Sequence, residues 1–237
     1  MTAQTAAQLD TDGDPRELAT YTAAEAARLL RIPAATLRSW VFGRRFPTSE
    51  GDRFSLRLIE SPTDPHDRLC FLNVIEAHVL RSLRTRHGIS MSDVREALDF
   101  AQQRYGIERL LIRRELKAAP GRLFFEEYAS LVELPKGGQL ALREVFDAHL
   151  ERVAHDARDQ LPARFFPWFP IEGQEGKKAV VVDARIAFGS PVTSRRSIRT
   201  TVIADRYEAG EPVGELARDY GLENAEIEDA IRFERAA

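Results

Sequence analysis

The chain opens on a helical period. After Thr22, the apolar positions Ala26, Leu29 and Leu30 fall on one face, and Thr22-Ala23-Ala24-Glu25 has the spacing of a capping box. Arg31-Ile32-Pro33 breaks the pattern, and a second short helix runs to about Val41 with Leu37 and Trp40 at core spacing. The period then drops to two. Alternation in Arg53 to Ile59 and again in Arg68 to Phe71 predicts a two-stranded hairpin around the turn Ser61 to Pro65. Helical spacing returns over Asn73 to Arg86, closed by Gly88, and over Met91 to Tyr105, closed by Gly106.

The middle of the chain differs. Leu116 to Ala118, Leu123 to Glu126 and Leu131 to Leu134 are short apolar runs, expected to form a meander of strands. A helix is expected from about Gln139 to Ala154, with Leu142, Val145, Phe146, Leu150 and Val153 on one face. Leu161 to Gly176 is a linker by its prolines and not by its aromatics, Phe165, Phe166, Trp168 and Phe169. These either cross the middle sheet to tie the two ends together or anchor a partner, since aromatics dominate interface hot spots. A strand, Ala179 to Val182, then precedes three short helices, Thr201 to Ala209, Pro212 to Tyr220 and Asn224 to about Phe233.

The expected fold is therefore mainly α with small β elements (α+β): an N-terminal winged helix-turn-helix, a middle α/β segment and a C-terminal three-helix module of helix-turn-helix type. The expected divisions are residues 1–17 as a flexible lead-in, 18–106 as the winged domain and 107–160 as meander plus helix. Residues 161–178 follow as linker and 179–237 as the helical end.

Charge adds a polarity to this picture. The net charge is only -3, but its distribution is uneven. Arg28 to Arg57 holds seven arginines against Glu50 and Asp52, whereas Glu208 to Glu234 holds nine acids against Arg218 and Arg232. One end suits phosphates and the other repels them. No run approaches the length of a membrane span, no signal peptide is expected at the N-terminus, and the expected location is cytoplasmic.

Enzymatic chemistry finds no footing. The histidines His66, His78, His87, His149 and His155 make no metal-binding spacing, and Cys70, the single cysteine, is expected as a small buried hydrophobe. Nucleophile elbow, P-loop and dinucleotide fingerprint are all missing from the sequence. Neither catalysis nor a cofactor is expected.

Tyr21-Thr22, Glu25-Ala26-Ala27, Leu29-Leu30, Ile32-Pro33 and Thr36-Leu37-Arg38, with Trp40, resemble the opening of the MerR family, and the likeness continues to about residue 105. Ala34 and Ala35 stand where that family often has polar residues or proline. The resemblance implies that the second helix lies in the major groove and the hairpin serves as a wing. Thr36, Arg38, Ser39, Arg44, Arg45 and Arg53 are then the expected DNA contacts. Trp40 either stacks on sugar-phosphate or packs the two helices together. Paired half-sites would make the protein a homodimer.

At the other end, Val181 to Val192, Ile198 to Glu211, Val213 to Leu222 and Ile227 to Phe233 resemble a small bacterial domain typically encoded beside PIN-like ribonuclease toxins. That domain has Gly-Thr-Arg before the isoleucine, where this chain has Arg195-Arg196-Ser197. Together the two likenesses resemble a VapB-type antitoxin. The implied partners are operator DNA and a VapC-type ribonuclease, with Arg195, Arg196, Arg199, Phe165 and Trp168 as toxin-contact candidates. Arginines could compete with a metal among the toxin's carboxylates. The other readings left open are a MerR-like regulator responding to a small ligand and a pure interaction scaffold.

Overall fold

The computed structural model describes residues 13–49, 51–60, 66–87, 94–95, 98–99, 103, 109–112, 151–167 and 177–236. The fold is mainly α with small antiparallel β elements. Its helices are α1 (Ala23–Leu30), α2 (Ala34–Phe42), α3 (Phe71–His87), α4 (Thr200–Glu208), α5 (Val213–Tyr220) and α6 (Asn224–Arg235). The strands pair locally, β1 (Arg44–Thr48) with β2 (Gly51–Ser55), β3 (Val153–His155) with β4 (Pro162–Phe165), and β5 (Val180–Val181) with β6 (Val192–Thr193).

The capping box forms as its spacing requires. Thr22 Oγ1 accepts from the Glu25 amide at 3.2 Å, and the Glu25 carboxylate accepts from the Thr22 amide at 2.8 Å. Arg31 closes α1 with a left-handed φ of 53°, and the Ile32 amide reaches back to the Ala27 carbonyl at 3.0 Å. The exit angle this sets lays Leu37, Trp40 and Val41 of α2 against Ala26, Leu29 and Leu30 of α1 in one core.

The hairpin lies one element earlier than its alternation predicts. Arg44 pairs with Ser55 and Thr48 with Gly51, so Arg53 to Ser55 is the returning strand and not the outgoing one. Leu58 and Ile59 instead donate their amides to the Trp40 carbonyl, at 2.7 and 3.0 Å. Leu69 pairs across to Tyr21. Ile59 and Leu69 are apolar because both are buried, not because they face each other across a sheet.

Two further expectations are corrected. Of the helix placed from about Gln139 to Ala154, residues 139–150 lie outside the described residues, and Val153 and Ala154 are in β3. The linker placed from Leu161 begins as strand β4, which a leading Pro162 permits because the first residue of a strand need not donate to the ladder. Phe165, 1% exposed, pairs with Val153 on one side and Val182 on the other and packs at a tilt against the His78 ring of α3, centroids 4.7 Å apart. It is a core residue, which removes it from the partner-contact candidates. The meander, most of the Met91 to Tyr105 helix, and Trp168 with Phe169 lie outside the described residues.

Two cores result. The larger gathers α1, α2, α3, Leu111, Ile112, Val153, Phe165, Val180 and Val182, and takes in Phe233 from the last helix. The smaller is Ile203, Leu216, Ala217, Leu222, Ile227, Ala230 and Ile231 of α4 to α6. A buried polar knot stiffens the first. The Cys70 thiol and amide donate to Asn73 Oδ1, Asn73 donates to Glu76, and Arg109 grips Glu76 with two bonds of 3.0 and 3.1 Å. Burial raises the Cys70 thiol above its ordinary range, so Cys70 is held as a neutral hydrophobe.

Arg16 ties the lead-in to the β3–β4 turn. Its guanidinium bonds both Asp14 and Asp159 and holds both carboxyls below the usual carboxylate range, Asp159 at about 2. A carboxyl depressed in the folded state stabilises fully above its unfolded value and loses that contribution as pH falls through the folded one. Stability should therefore decline as pH drops from 3.8 towards about 2, and the decline in urea midpoint should be shallower in Asp159→Asn than in the parent.

Candidate nucleic-acid interface

The basic cluster in the first sixty residues gathers on α2 and the hairpin that follows it. Ala34, Ala35 and Arg38 are exposed along α2, with Thr36 and Ser39 half-buried beside them. The Ser39 hydroxyl donates to the Thr36 carbonyl at 2.8 Å and keeps its lone pairs free for an outside donor. Gly43 ends α2 with φ 75° and leads directly into β1. A Cβ there would meet the Ser55 carbonyl at 2.5 Å, so only glycine lets the hairpin fold back this closely. Arg44 and Arg45 therefore follow α2 without a loop; Arg53, opposite Phe46, shares the hairpin face of Arg44, while Arg45, opposite Phe54, lies on the other face.

Arg38 and Arg44 are held by aromatic rings. Arg38 lies over the Phe42 ring at 5.4 Å and Arg44 over Phe46 at 5.9 Å. Among the described residues no carboxylate pairs with Arg38, Arg44 or Arg45. Phe54 and Leu56, both well exposed, add an apolar edge to the hairpin. Trp40 is different. At 3% exposed it packs α2 into the core and so positions the surface from behind.

The acidic far end is not the free negative surface that its composition suggests. Glu226 pairs with Arg195 at 3.3 Å, Glu228 with Arg232 at 2.7 Å, Asp229 with Lys177 at 2.6 Å and Glu234 with Arg28 at 3.1 Å. Glu223 is spent on the α6 capping box. The three arginine candidates also separate. Arg195 and Arg196 both donate to the Gly221 carbonyl, at 2.5 and 3.4 Å, capping the C-terminal end of α5. Arg199 stays exposed, with no carboxylate partner among the described residues.

The last helix is docked on the head. Glu234 joins Arg28 of α1 to the Thr200 hydroxyl at the start of α4. The Arg31 guanidinium lies over the Phe233 ring at 6.0 Å, and the Tyr21 hydroxyl donates to the Gly189 carbonyl at 2.8 Å. Burial pushes the Tyr21 phenol up, so it remains a donor throughout the ordinary pH range. The contacts of Tyr21, Arg28 and Arg31 join residues about 170 to 200 apart in sequence, and their spacing carries no signal of them.

Known proteins align with nearly the whole chain. Residues 180–233 match the family described as "Protein of unknown function (DUF433)". The chain is 29% identical to a Mycobacterium tuberculosis protein named "Putative antitoxin VapB45", over 89% of this chain and 92% of that protein. It is 22% identical to the uncharacterized protein Rv2308 of the same organism, over 90% of this chain and 89% of that one. The crystal structure of Mycobacterium tuberculosis Rv2018 shares the fold with a TM-score of 0.67 at 25% identity, covering 90% of this chain and 98% of that one. Among the described residues no helix is long and apolar enough to cross a membrane, and none of their His, Cys, Asp and Glu form a group that could hold a metal.

Proposed function

We propose that this protein is a VapB-type antitoxin that addresses its own operator through the α2–hairpin surface and neutralises a PIN-like, VapC-type ribonuclease by direct binding. In this reading residues 18–106 act as a MerR-like winged head. Residues 179–237 carry toxin contacts, and a homodimer spans two half-sites. The protein acts by occupying surfaces and does no chemistry. The observation that carries the reading is the similarity to a protein named as an antitoxin, which runs through both ends of the chain and not through one motif. The charge at Arg38, Arg44 and Arg45, paired with no carboxylate among the described residues, supports the nucleic-acid half.

Co-expression with a PIN-like ribonuclease encoded beside the gene, followed by size-exclusion chromatography, tests the protein half. A co-eluting complex, with growth restored to cells making the ribonuclease, is the expected result. Separate elution of both proteins in folded form would end the antitoxin reading.

A further inference from the structure

Residues 187–189 form a short turn with an unusual backbone. Ala187, Phe188 and Gly189 have consecutive φ values of 49°, 54° and 74°. Glycine takes the left-handed region freely, but each residue with a side chain pays for it, and such turns persist only where the surroundings fix them. Here the surroundings do. The Gly189 carbonyl accepts from the buried Tyr21 hydroxyl, a Cβ on Gly189 would lie 2.1 Å from that same oxygen, and the Ser190 amide closes the turn on the Ala187 carbonyl at 3.1 Å. What the turn displays is Phe188, 73% exposed, the most exposed of the large apolar side chains among the described residues.

Neither burial nor backbone preference explains a phenylalanine there. Its neighbours give it a use. Phe188 stands at a cleft of about 210 Å³ between the start of α1 and the start of α4, whose walls include Glu25, Arg28, Arg199, Thr201 and Phe233. The charges in those walls are mostly committed, Glu25 to the α1 cap and Arg28 to Glu234. Arg199 is the one cation of the cleft that lacks a carboxylate partner among the described residues. An exposed aromatic beside an arginine is the composition of an interface anchor.

We infer that Phe188 and Arg199 form the anchor of a protein-docking surface, and that its occupant is the ribonuclease partner, which presents an apolar pocket bordered by a carboxylate. This rests on the antitoxin reading. It moves the contact from Arg195 and Arg196, which cap α5, to the cleft where the last helix meets the head.

The test is a titration of the full-length chain with the purified adjacent-gene ribonuclease, comparing the parent with Phe188→Gly and Arg199→Glu. Relieving the left-handed strain should leave the melting temperature of Phe188→Gly unchanged or raise it by about 2–4 °C. Its affinity for the ribonuclease should nevertheless fall by at least about tenfold. Arg199→Glu should bind at least about tenfold more weakly with an unchanged melting temperature. A Phe188→Gly protein that binds within about twofold of the parent overturns the inference while leaving the antitoxin reading intact. No binding by the parent overturns both. Dissociation of a homodimer in Phe188→Gly, with ribonuclease affinity kept, overturns the chosen occupant.

Discussion

Charge reversal at Arg44 and Arg45 together is expected to lower affinity for the promoter upstream of the gene by about a hundredfold or more at low salt. Both side chains are exposed at the start of β1, and neither has a carboxylate partner to lose among the described residues. Their replacement therefore removes attraction to phosphate without breaking an internal ion pair. If each contacts one phosphate, the log–log dependence of binding on salt should flatten by about 2, since each neutralised phosphate contributes about 0.9 to that slope. The double variant should melt with the parent, because the hairpin is held by its backbone ladder and by Gly43, not by these guanidiniums. Arg38→Ala supplies the contrast. An arginine on the exposed face of α2 that reads a base edge should relax sequence preference at one operator position by about 1–3 kcal/mol, while one that meets only phosphate should weaken all sequences alike. An unchanged gel shift in the double variant at low salt would refute this surface as the DNA contact.

What the sequence makes legible is local. The Thr22–Glu25 box, the break at Arg31-Ile32-Pro33 and the three terminal helices rest on contacts within about four residues, and all of them form. Reading failed where the deciding contact is distant or where two causes give one pattern. The alternation from Arg53 to Ile59 mixes a real strand with residues buried under Trp40, and Pro47 hides the partner strand because proline weakens any strand reading. The acids of α6 read as repulsive because composition shows net charge and not pairing, and Arg195, Lys177 and Arg28 reach them from afar. Of the candidate contacts, Arg38, Arg44, Arg45 and Arg53 are all exposed on α2 and the hairpin, as their closeness in sequence suggests, but Arg45 lies on the other hairpin face from Arg44 and Arg53. Trp40 and Phe165 could not be sorted from surface aromatics without their neighbours. Phe188 gave no signal at all, since nothing in Ala187-Phe188 announces a left-handed turn.

The position of Phe165 separates the two roles open to an aromatic in a proline-rich stretch. If it anchored a partner, its truncation would leave the fold intact and weaken binding. The structure places it where β4 meets β3, the residue after β5 and the His78 ring on α3, so it locks three parts of the chain into the larger core. Truncating a phenylalanine so enclosed costs the transfer energy of the ring and leaves a cavity that close packing cannot fill, together about 3–5 kcal/mol. That is a large share of the stability of an ordinary domain. Phe165→Ala should thus lower the melting temperature by about 10 °C or more, or fail to accumulate as folded protein. Phe165→Leu, which keeps most of the volume, should recover the larger part of that loss. The neighbouring Arg152 makes the same point with polar groups. It is buried and donates to the carbonyls of Phe166, Pro167 and Lys177, so the two flanks of residues 168–176 are pinned by one side chain. A melting temperature within about 2 °C of the parent in Phe165→Ala, combined with loss of ribonuclease binding, would reverse the assignment and return Phe165 to the interface.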